Sequence, residues 1–434
     1  MGRPSSYDEP VTGALIAAAA LLGLGTGAFI ALRRRRSELA EPPAGADQTD
    51  ALATLLLGRP PQAGDPLPAG EATLRDAAAA LAASEQHRAA LELGTAAGAM
   101  AGTPAAEAAL PPGALSPDGV AIVGSEGWLY IAHGANDFVR QYRGELPLSD
   151  EGLAAWAELL DHRAAAAAAL GVPLVCLAVP DKLAIYPDHY PEPLGSATRP
   201  IQQIAAIARP GQLLYPLDEL RRAMRDADVS MRTDSHVTAE GAAVLARSVL
   251  RGLGFSRRAP RERAPGRPHL LSGDLGSKFE PGLHEIVRGP VAAPELEIVE
   301  DNATTLLPLG AHLGVRRVTR NPAAPIDARL VVFGDSYCYI EPSAAGNLGE
   351  RLASAFREVH FVWAPFCWDA AYLEKHPPDA VLLQMAERFV VTVPRRDVDV
   401  EGLAIETLRR KSGIVPEEIT TPAVASQGPD PVIT

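Results

Sequence analysis

Two short runs in this sequence carry residue types that together can do nucleophilic chemistry. The first is Gly334–Asp335–Ser336, which follows the apolar run LVVF. A serine on the turn leaving a buried strand holds its hydroxyl at the sheet edge beside unpaired backbone N–H groups, the arrangement that a nucleophile with an oxyanion hole requires. The second is Thr233–Asp234–Ser235–His236–Val237–Thr238, between a predicted strand and a helix start. A serine nucleophile needs a base, and the base needs a carboxylate that fixes its tautomer and stabilises the imidazolium. Asp234 and His236 offer both from one loop. Taken singly, each run also reads as a structural turn, one with a capping serine and the other with a surface histidine. Together they fill all three roles of a Ser-His-Asp triad.

Other residues are candidates around that core. The backbone N–H of Ser336 or Tyr337, next to Gly334, is placed to enter an oxyanion hole. Glu387 and Arg388 follow another strand and read as a buried ion pair supporting the site, with Arg388 a second support candidate. Lys182 is one of only four lysines and follows a strand end, so it is either an orienter of an anionic substrate or half of an ion pair. Trp128 is either core packing or a platform for a sugar ring. A metal-dependent hydrolase built on Asp234 and His236 lacks an evident third ligand. The cysteines Cys176, Cys338 and Cys367 form no CxxC motif and no zinc-ligand spacing, so no metal or other cofactor is expected. Cys338 reads as packing.

These runs must be held by strands and helices, and the composition allows for a substantial core. Of 434 residues, 47% are hydrophobic and 21% charged, which excludes wholesale disorder, a collagen-like repeat and a multi-span membrane protein. The net charge of −13 excludes a general nucleic-acid binder, whose affinity needs a basic surface. From residue 118 the texture is alternating apolar runs and helices. GVAIVGSEGWLYI reads as strand, turn and strand, and Ser149 caps a helix through WAELLDHRAAAAAALG. Buried strands are predicted at 173–180, 328–336, 358–365 and 379–389, with further strands at 212–217 and ending near Arg232. Helices are predicted at about 199–208, over DELRRAMRDA, after Thr238, near 343–357 and near 369–376. Strands separated by helices imply a mainly parallel sheet covered on both faces, with its site at the C-terminal strand ends. Residues 255–325, rich in Pro, Arg and Gly, break the alternation and read as an insertion.

Ahead of this domain, after a tail of residues 1–10, residues 11–32 form an uncharged apolar run of roughly 33 Å as a helix, long enough to span a bilayer. Membrane association through 11–32 is therefore expected. Arg33–Arg36 on its C-terminal flank predict, by the positive-inside rule, that the chain beyond residue 36 is cytoplasmic. Residues 33–117 read as an Ala/Pro/Gly-rich linker with one helix at about 71–93, and 396–434 as a partly disordered extension.

The ordered set GSEGWLYI (124–131), AVPDKLAIYPDHYP (178–191), TDSHVTAEGA (233–242), FGDSYCY (333–339) and AERF (386–389) resembles the AlgX/AlgJ-type alginate O-acetyltransferases. The resemblance covers about 118–395. It implies an α/β, circularly permuted SGNH-hydrolase-like fold, with Ser336 as nucleophile, His236 as general base and Asp234 as its orienting partner. It further implies transfer of an acetyl group to hydroxyls of a polysaccharide acceptor, a donor delivered by a membrane acyltransferase partner, and an extracytoplasmic (periplasmic) domain, opposite to the arginine flank. An esterase with the same triad and a non-catalytic polysaccharide-binding or assembly protein are the alternatives. Two departures stand out: Val237 occupies the place of the family's usual Trp, and no carbohydrate-binding module follows Phe389.

Overall fold

Strands rich in apolar residues make the centre of the molecule. In this computed structural model, Leu174–Val179 (β3), Ile326–Gly334 (β8), Phe356–Trp363 (β9) and Ala380–Ala386 (β10) are almost wholly buried, as strands covered on both faces must be. The structure describes residues 110–412, apart from 135, 196, 257–265, 267, 290–295, 308–310 and 340–346. The apolar run 11–32, the arginine flank, the 71–93 helix and the end of the C-terminal extension lie outside the described residues. Among the described residues no helix is long and apolar enough to cross a membrane.

Ala121–Val123 (β1) and Leu129–Ile131 (β2) form an antiparallel pair of their own. His269–Leu271 (β4) and Glu285–Val287 (β5) form a second. The main sheet has the order β3-β10-β8-β9-β7-β6, where β6 is Glu297–Asp301 and β7 is Arg316–Arg320. Its first four strands run parallel, while β7 is antiparallel to β9 and β6 antiparallel to β7. The sheet is thus mixed rather than parallel throughout, and both antiparallel pairings are made by strands from 255–325. That stretch completes the sheet edge instead of standing apart from it.

Two other expected strands do not form as such. At 212–217 a single parallel bridge joins Leu214 to Leu177, because Leu217 already begins the Leu217–Ala223 helix behind Pro216. Near Arg232 only the Ser230–Val237 bridge remains, since the chain turns sharply to present the Asp-x-His loop.

Helices cover both faces. Asp150–Leu170 begins at Ser149, whose Oγ accepts the Gly152 amide at 3.1 Å, and ends at Gly171 with φ +70°, a conformation that favours glycine. It packs with Pro200–Ile207 and Ala370–Lys375 against Val331, Phe333, Val381 and Leu383. On the opposite face, Ala239–Gly252 and Leu348–Ala355 pack against Leu330, Val332 and Leu382. Ala239–Gly252 starts where Thr238 Oγ1 accepts the Gly241 amide, so the residues just before it, Asp234 to Val237, are fixed at a helix mouth. The C-terminal ends of β3, β8 and β10 then bring Lys182, Ser336 and Arg388 to one edge of the sheet.

Candidate active site

The Asp-x-His loop is folded on itself. Asp234 Oδ1 accepts the His236 amide at 2.9 Å and His236 Nδ1–H at 2.7 Å, which orients the ring and leaves Nε2 as the acceptor. Nε2 lies 2.8 Å from Ser336 Oγ, across one hundred residues of chain. Asp234 and His236 side chains keep 15% and 28% of their surface, so the relay is sheltered but reachable. Burial favours the neutral imidazole, but the Asp234 carboxylate and the charge of Asp274 outweigh it and push the His236 pKa up from 6.5 to about 8. Against the upward pull of burial on its own carboxyl, Asp234 is held well below the usual carboxylate range by His236 and by the Asp274 and His236 amides.

The nucleophile turn is built as firmly. Asp335 donates its amide to Gln384 Oε1 at 2.9 Å, accepts Gln384 Nε2 at 2.8 Å on Oδ1, and accepts the Ala386 amide at 2.7 Å on Oδ2. This double tie joins the ends of β8 and β10. Gly334 is required there, since a Cβ would stand 2.7 Å from Gln384 Oε1 and 3.2 Å from Cys338 Cβ. Ser336 comes two residues later, partly exposed, while Asp335, Tyr337 and Cys338 on either side of it are buried. Among the described residues the Ser336 amide has no hydrogen-bond acceptor. A hydroxyl, an imidazole and a carboxylate in series can remove the serine proton as the oxygen attacks a carbonyl carbon.

Residues 121–281 match the family model for the SGNH hydrolase-like domain of the acetyltransferase AlgX. This segment is similar to the acetyltransferase domain of the AlgX family. The match includes Asp234 and His236, and Ser336 lies beyond it, joined to them by the geometry above. No curated protein matches the sequence. Among solved structures, the chain is similar to the O-acetyltransferase domain of Pseudomonas putida AlgJ, at 16% identity over 68% of this chain and 99% of that one, with a TM-score of 0.39. It is also similar to Bacillus cereus PatB1, at 12% identity over 62% and 97% with a TM-score of 0.41. For Pseudomonas aeruginosa AlgX the identity is 14% over 67% and 66%, with a TM-score of 0.32. The AlgX/AlgJ resemblance read from the motifs is borne out by the family match over residues 121–281.

Around the relay, Tyr337 and Lys182 have work other than the one read for them, whereas Trp128 and Cys338 are buried packing residues. The Tyr337 amide donates to Asp335 Oδ1 at 3.0 Å and its hydroxyl to the Ser235 carbonyl at 2.9 Å, so it has no N–H left for an oxyanion. Lys182 is 5% exposed, donates Nζ–H to the Leu129 and Arg232 carbonyls at 2.8 and 3.1 Å, and sits 5.9 Å from the Trp128 and Tyr130 ring centres. It bolts β2 to the chain entering the Asp-x-His loop. Burial lowers its pKa to about 8. Trp128 is 1% exposed and stacks on Tyr186 with ring centres 4.1 Å apart, which leaves no face for a sugar. Cys338 is buried, and burial raises its thiol pKa well above the ordinary value.

Glu387 and Arg388 are both buried and ion-paired, each with a different partner. Arg388 donates its amide and Nη1 to Asp181 at 2.9 and 2.5 Å, and its guanidinium lies 6.0 Å from the Tyr337 ring centre. Glu387 pairs with Arg199 at 3.2 Å and accepts Tyr215 Oη–H at 2.8 Å, and burial pushes its pKa up to about 7. This buried quartet ties the ends of β3 and β10 behind the nucleophile turn.

The residues missed from sequence are Asp274, Glu285 and Gln384. Asp274 Oδ1 and Oδ2 accept the Ser235 amide and hydroxyl at 2.6 and 2.5 Å, and its own amide donates to Asp234 Oδ2 at 3.0 Å. Glu285 takes the Thr233 amide and hydroxyl at 2.7 and 2.8 Å and the Arg232 amide at 3.0 Å. The signal was SGDLGS, an acid between two glycines inside an arginine-rich stretch. Asp234, His236 and Asp274 also bring one ligand atom each within 4.8 Å of one another, the third group that a metal reading had lacked. Their lone pairs and protons are already engaged with each other, with Ser235 and with Ser336.

Proposed function

We propose that this chain is a membrane-anchored O-acetyltransferase that moves an acetyl group to hydroxyls of a cell-surface or exported polysaccharide through an acyl-Ser336 intermediate. The observation that carries the reading is the unbroken relay from Asp234 through His236 to Ser336 Oγ. Ser336 Oγ attacks the acetyl carbonyl while its proton passes to His236 Nε2. The Ser336 amide, unengaged among the described residues, is the available oxyanion donor. Collapse of the tetrahedral intermediate expels the donor's leaving group, which takes the proton from His236. In the second half, a sugar hydroxyl gives its proton to His236 and attacks the acyl carbon, and collapse releases an acetylated sugar and Ser336, whose oxygen regains its proton from His236. Asp234 holds the imidazole and balances its charge in both halves, and Arg388 supports the turn through Asp181 and Tyr337.

The family supports an extracytoplasmic site. With that goes an anchor in residues 11–32 and an acetyl donor handed over by a membrane acyltransferase partner. A reporter fused to the C-terminus and active only outside the cytoplasm is the expected result, and cytoplasmic activity would reverse the placement.

The test of the chemistry is acylation of Ser336. Incubated with an acetyl ester and an oligosaccharide, the protein is expected to yield acetylated sugar by mass spectrometry, with a transient acetyl on the peptide bearing Ser336. Acetate alone, whatever acceptor is present, would make it an esterase with the same triad. No adduct and no turnover would make it a binding or assembly protein. Activity that disappears with a chelator and returns with a divalent ion would replace the relay by metal chemistry.

A further inference from the structure

Every residue that leads into His236 is gripped by one segment of chain, 273–285, which the AlgX-type match reaches only in part. Thr233 receives Gly276 N–H on its carbonyl at 2.8 Å and gives its amide and hydroxyl to Glu285. Asp234 receives the Asp274 amide on Oδ2, and Ser235 gives both its amide and its hydroxyl to the Asp274 carboxylate. The contact is reciprocal: the backbone of residue 274 holds a side chain of the relay, and the side chain of residue 274 holds the backbone of the relay. Gly273 permits the approach, because a Cβ there would lie 2.4 Å from both Asp234 Cβ and the Thr233 carbonyl.

Ser235 is the node through which this grip reaches the nucleophile. Its carbonyl accepts Tyr337 Oη–H at 2.9 Å, and the Tyr337 amide is tied to Asp335, the residue before Ser336. The Tyr337 ring also lies against the imidazole, with centres 4.9 Å apart. From this chain of contacts we propose that Asp274 is a positioning residue for acyl transfer: by clamping Ser235 it sets the spacing between His236 Nε2 and Ser336 Oγ. The inference rests on the serine acyl-transfer reading and adds to it a residue outside the triad. The charged and titratable groups that meet His236 are Asp234 on its own loop, Asp274 opposite, Arg388 after β10 and Tyr337 on the nucleophile turn. Loss of the Asp274 charge therefore moves the imidazole as well as the loop.

The experiment compares full-length Asp274→Ala and Asp274→Asn proteins with the unchanged chain in turnover of 4-nitrophenyl acetate across pH. A misplacement of about 1 Å costs roughly 10²-fold in rate, so Asp274→Ala is expected to lower kcat by about 10²-fold with KM within about twofold. Asp274→Asn keeps an acceptor for the Ser235 amide but loses the charge. Its expected loss is smaller, about tenfold, and its activity limb shifts to lower pH. A kcat for Asp274→Ala within about threefold of the parent, with an unmoved limb in Asp274→Asn, overturns the proposal. If the unchanged protein itself forms no acetyl-Ser336, the acyl-transfer reading fails first. The imidazole titration by NMR then decides on Asp274: a His236 midpoint that stays put in Asp274→Asn overturns its role, and a lowered midpoint keeps it.

Discussion

Asp234→Asn separates two effects that usually travel together, the availability of a base and its orientation. In the unchanged protein the His236 pKa is raised from 6.5 to about 8, worth about 2 kcal/mol in favour of the imidazolium. At pH 7 only about a tenth of the molecules then hold a neutral base, and acylation should climb with pH through about 8. The asparagine removes the charge that overcame burial, so the midpoint is expected to fall to 6.5 or below and most imidazoles become neutral at pH 7. If base availability governed the rate, the variant would gain up to about tenfold at pH 7. The geometry says otherwise. Asp234 Oδ1 accepts Nδ1–H, and an amide there turns the ring or its tautomer so that Nε2 no longer accepts the Ser336 proton. The expected loss is about 10⁴-fold in kcat, together with a limb displaced to lower pH. The assay is the burst of 4-nitrophenol on acylation, monitored from about pH 5 to 10, with the imidazole titrated by NMR. A variant within about tenfold of the parent, or a limb that does not move, would refute the relay as the catalytic device.

The same contacts set other expected outcomes. Ser336→Ala should abolish the acetyl adduct and lower turnover by about 10⁴–10⁶-fold while leaving the melting temperature within a few degrees of the parent. Gly273→Ala, forced against Asp234 Cβ at 2.4 Å, should cost about 10²-fold in kcat and about 1–3 kcal/mol in stability, read by kinetics and urea unfolding. The Glu387 pKa is raised in the fold from 4.5 to about 7, so its contribution to stability is complete below about 4.5 and lost as pH rises through about 7. Melting temperature should therefore fall across that window, and Glu387→Gln should flatten the fall. Far from the relay, Glu358 is 4% exposed and holds Arg320, Arg329 and His360 at 3.0, 2.6 and 2.9 Å. Glu358→Ala should destabilise the fold by about 2 kcal/mol in urea titration with acylation kinetics unchanged, since its arginines are themselves partly exposed.

The features legible in the sequence are those that local chemistry dictates. Apolar runs such as Leu174–Val179 and Ala380–Ala386, the second broken only by Gln384, read as strands covered on both faces, and they are. Ser149 and Thr238 announce helix starts because each has an amide three residues on to accept, and both accept it. The Asp-x-His spacing lets one side chain hold both its neighbour's amide and ring, so Asp234 and His236 belong together on local grounds alone. The role of a residue was hidden wherever its partners come from afar. For Tyr337 only the tie of its amide to Asp335 is local; the bond of its hydroxyl to Ser235 and the contact of its ring with the imidazole join segments about one hundred residues apart. Trp128 and Lys182 each left two roles open, packing or a sugar platform for the one and an ion pair or an anion orienter for the other, and Lys182 takes neither of its two. The bridge from Lys182 Nζ to the Leu129 and Arg232 carbonyls depends on three distant segments meeting.

The stretch 255–325 shows the same divide most clearly. Its proline, arginine and glycine content interrupts the strand-and-helix rhythm, so it reads as something added to a finished domain. Yet β6 and β7 close one edge of the main sheet, and Asp274 and Glu285 brace the loop that carries the base. A loop bearing a histidine is no better a catalyst than its rigidity allows, because a general base must meet its proton within a few tenths of an ångström. The residues from Arg232 to His236 have no helix or strand of their own to stiffen them. The carboxylates supplied by that stretch take the place of a ladder, accepting the amides of residues 232, 233 and 235 in turn. The irregular segment is thus where the relay obtains its rigidity, and Gly273 and Gly276 are the residues whose lack of a side chain lets it lie close enough to do so.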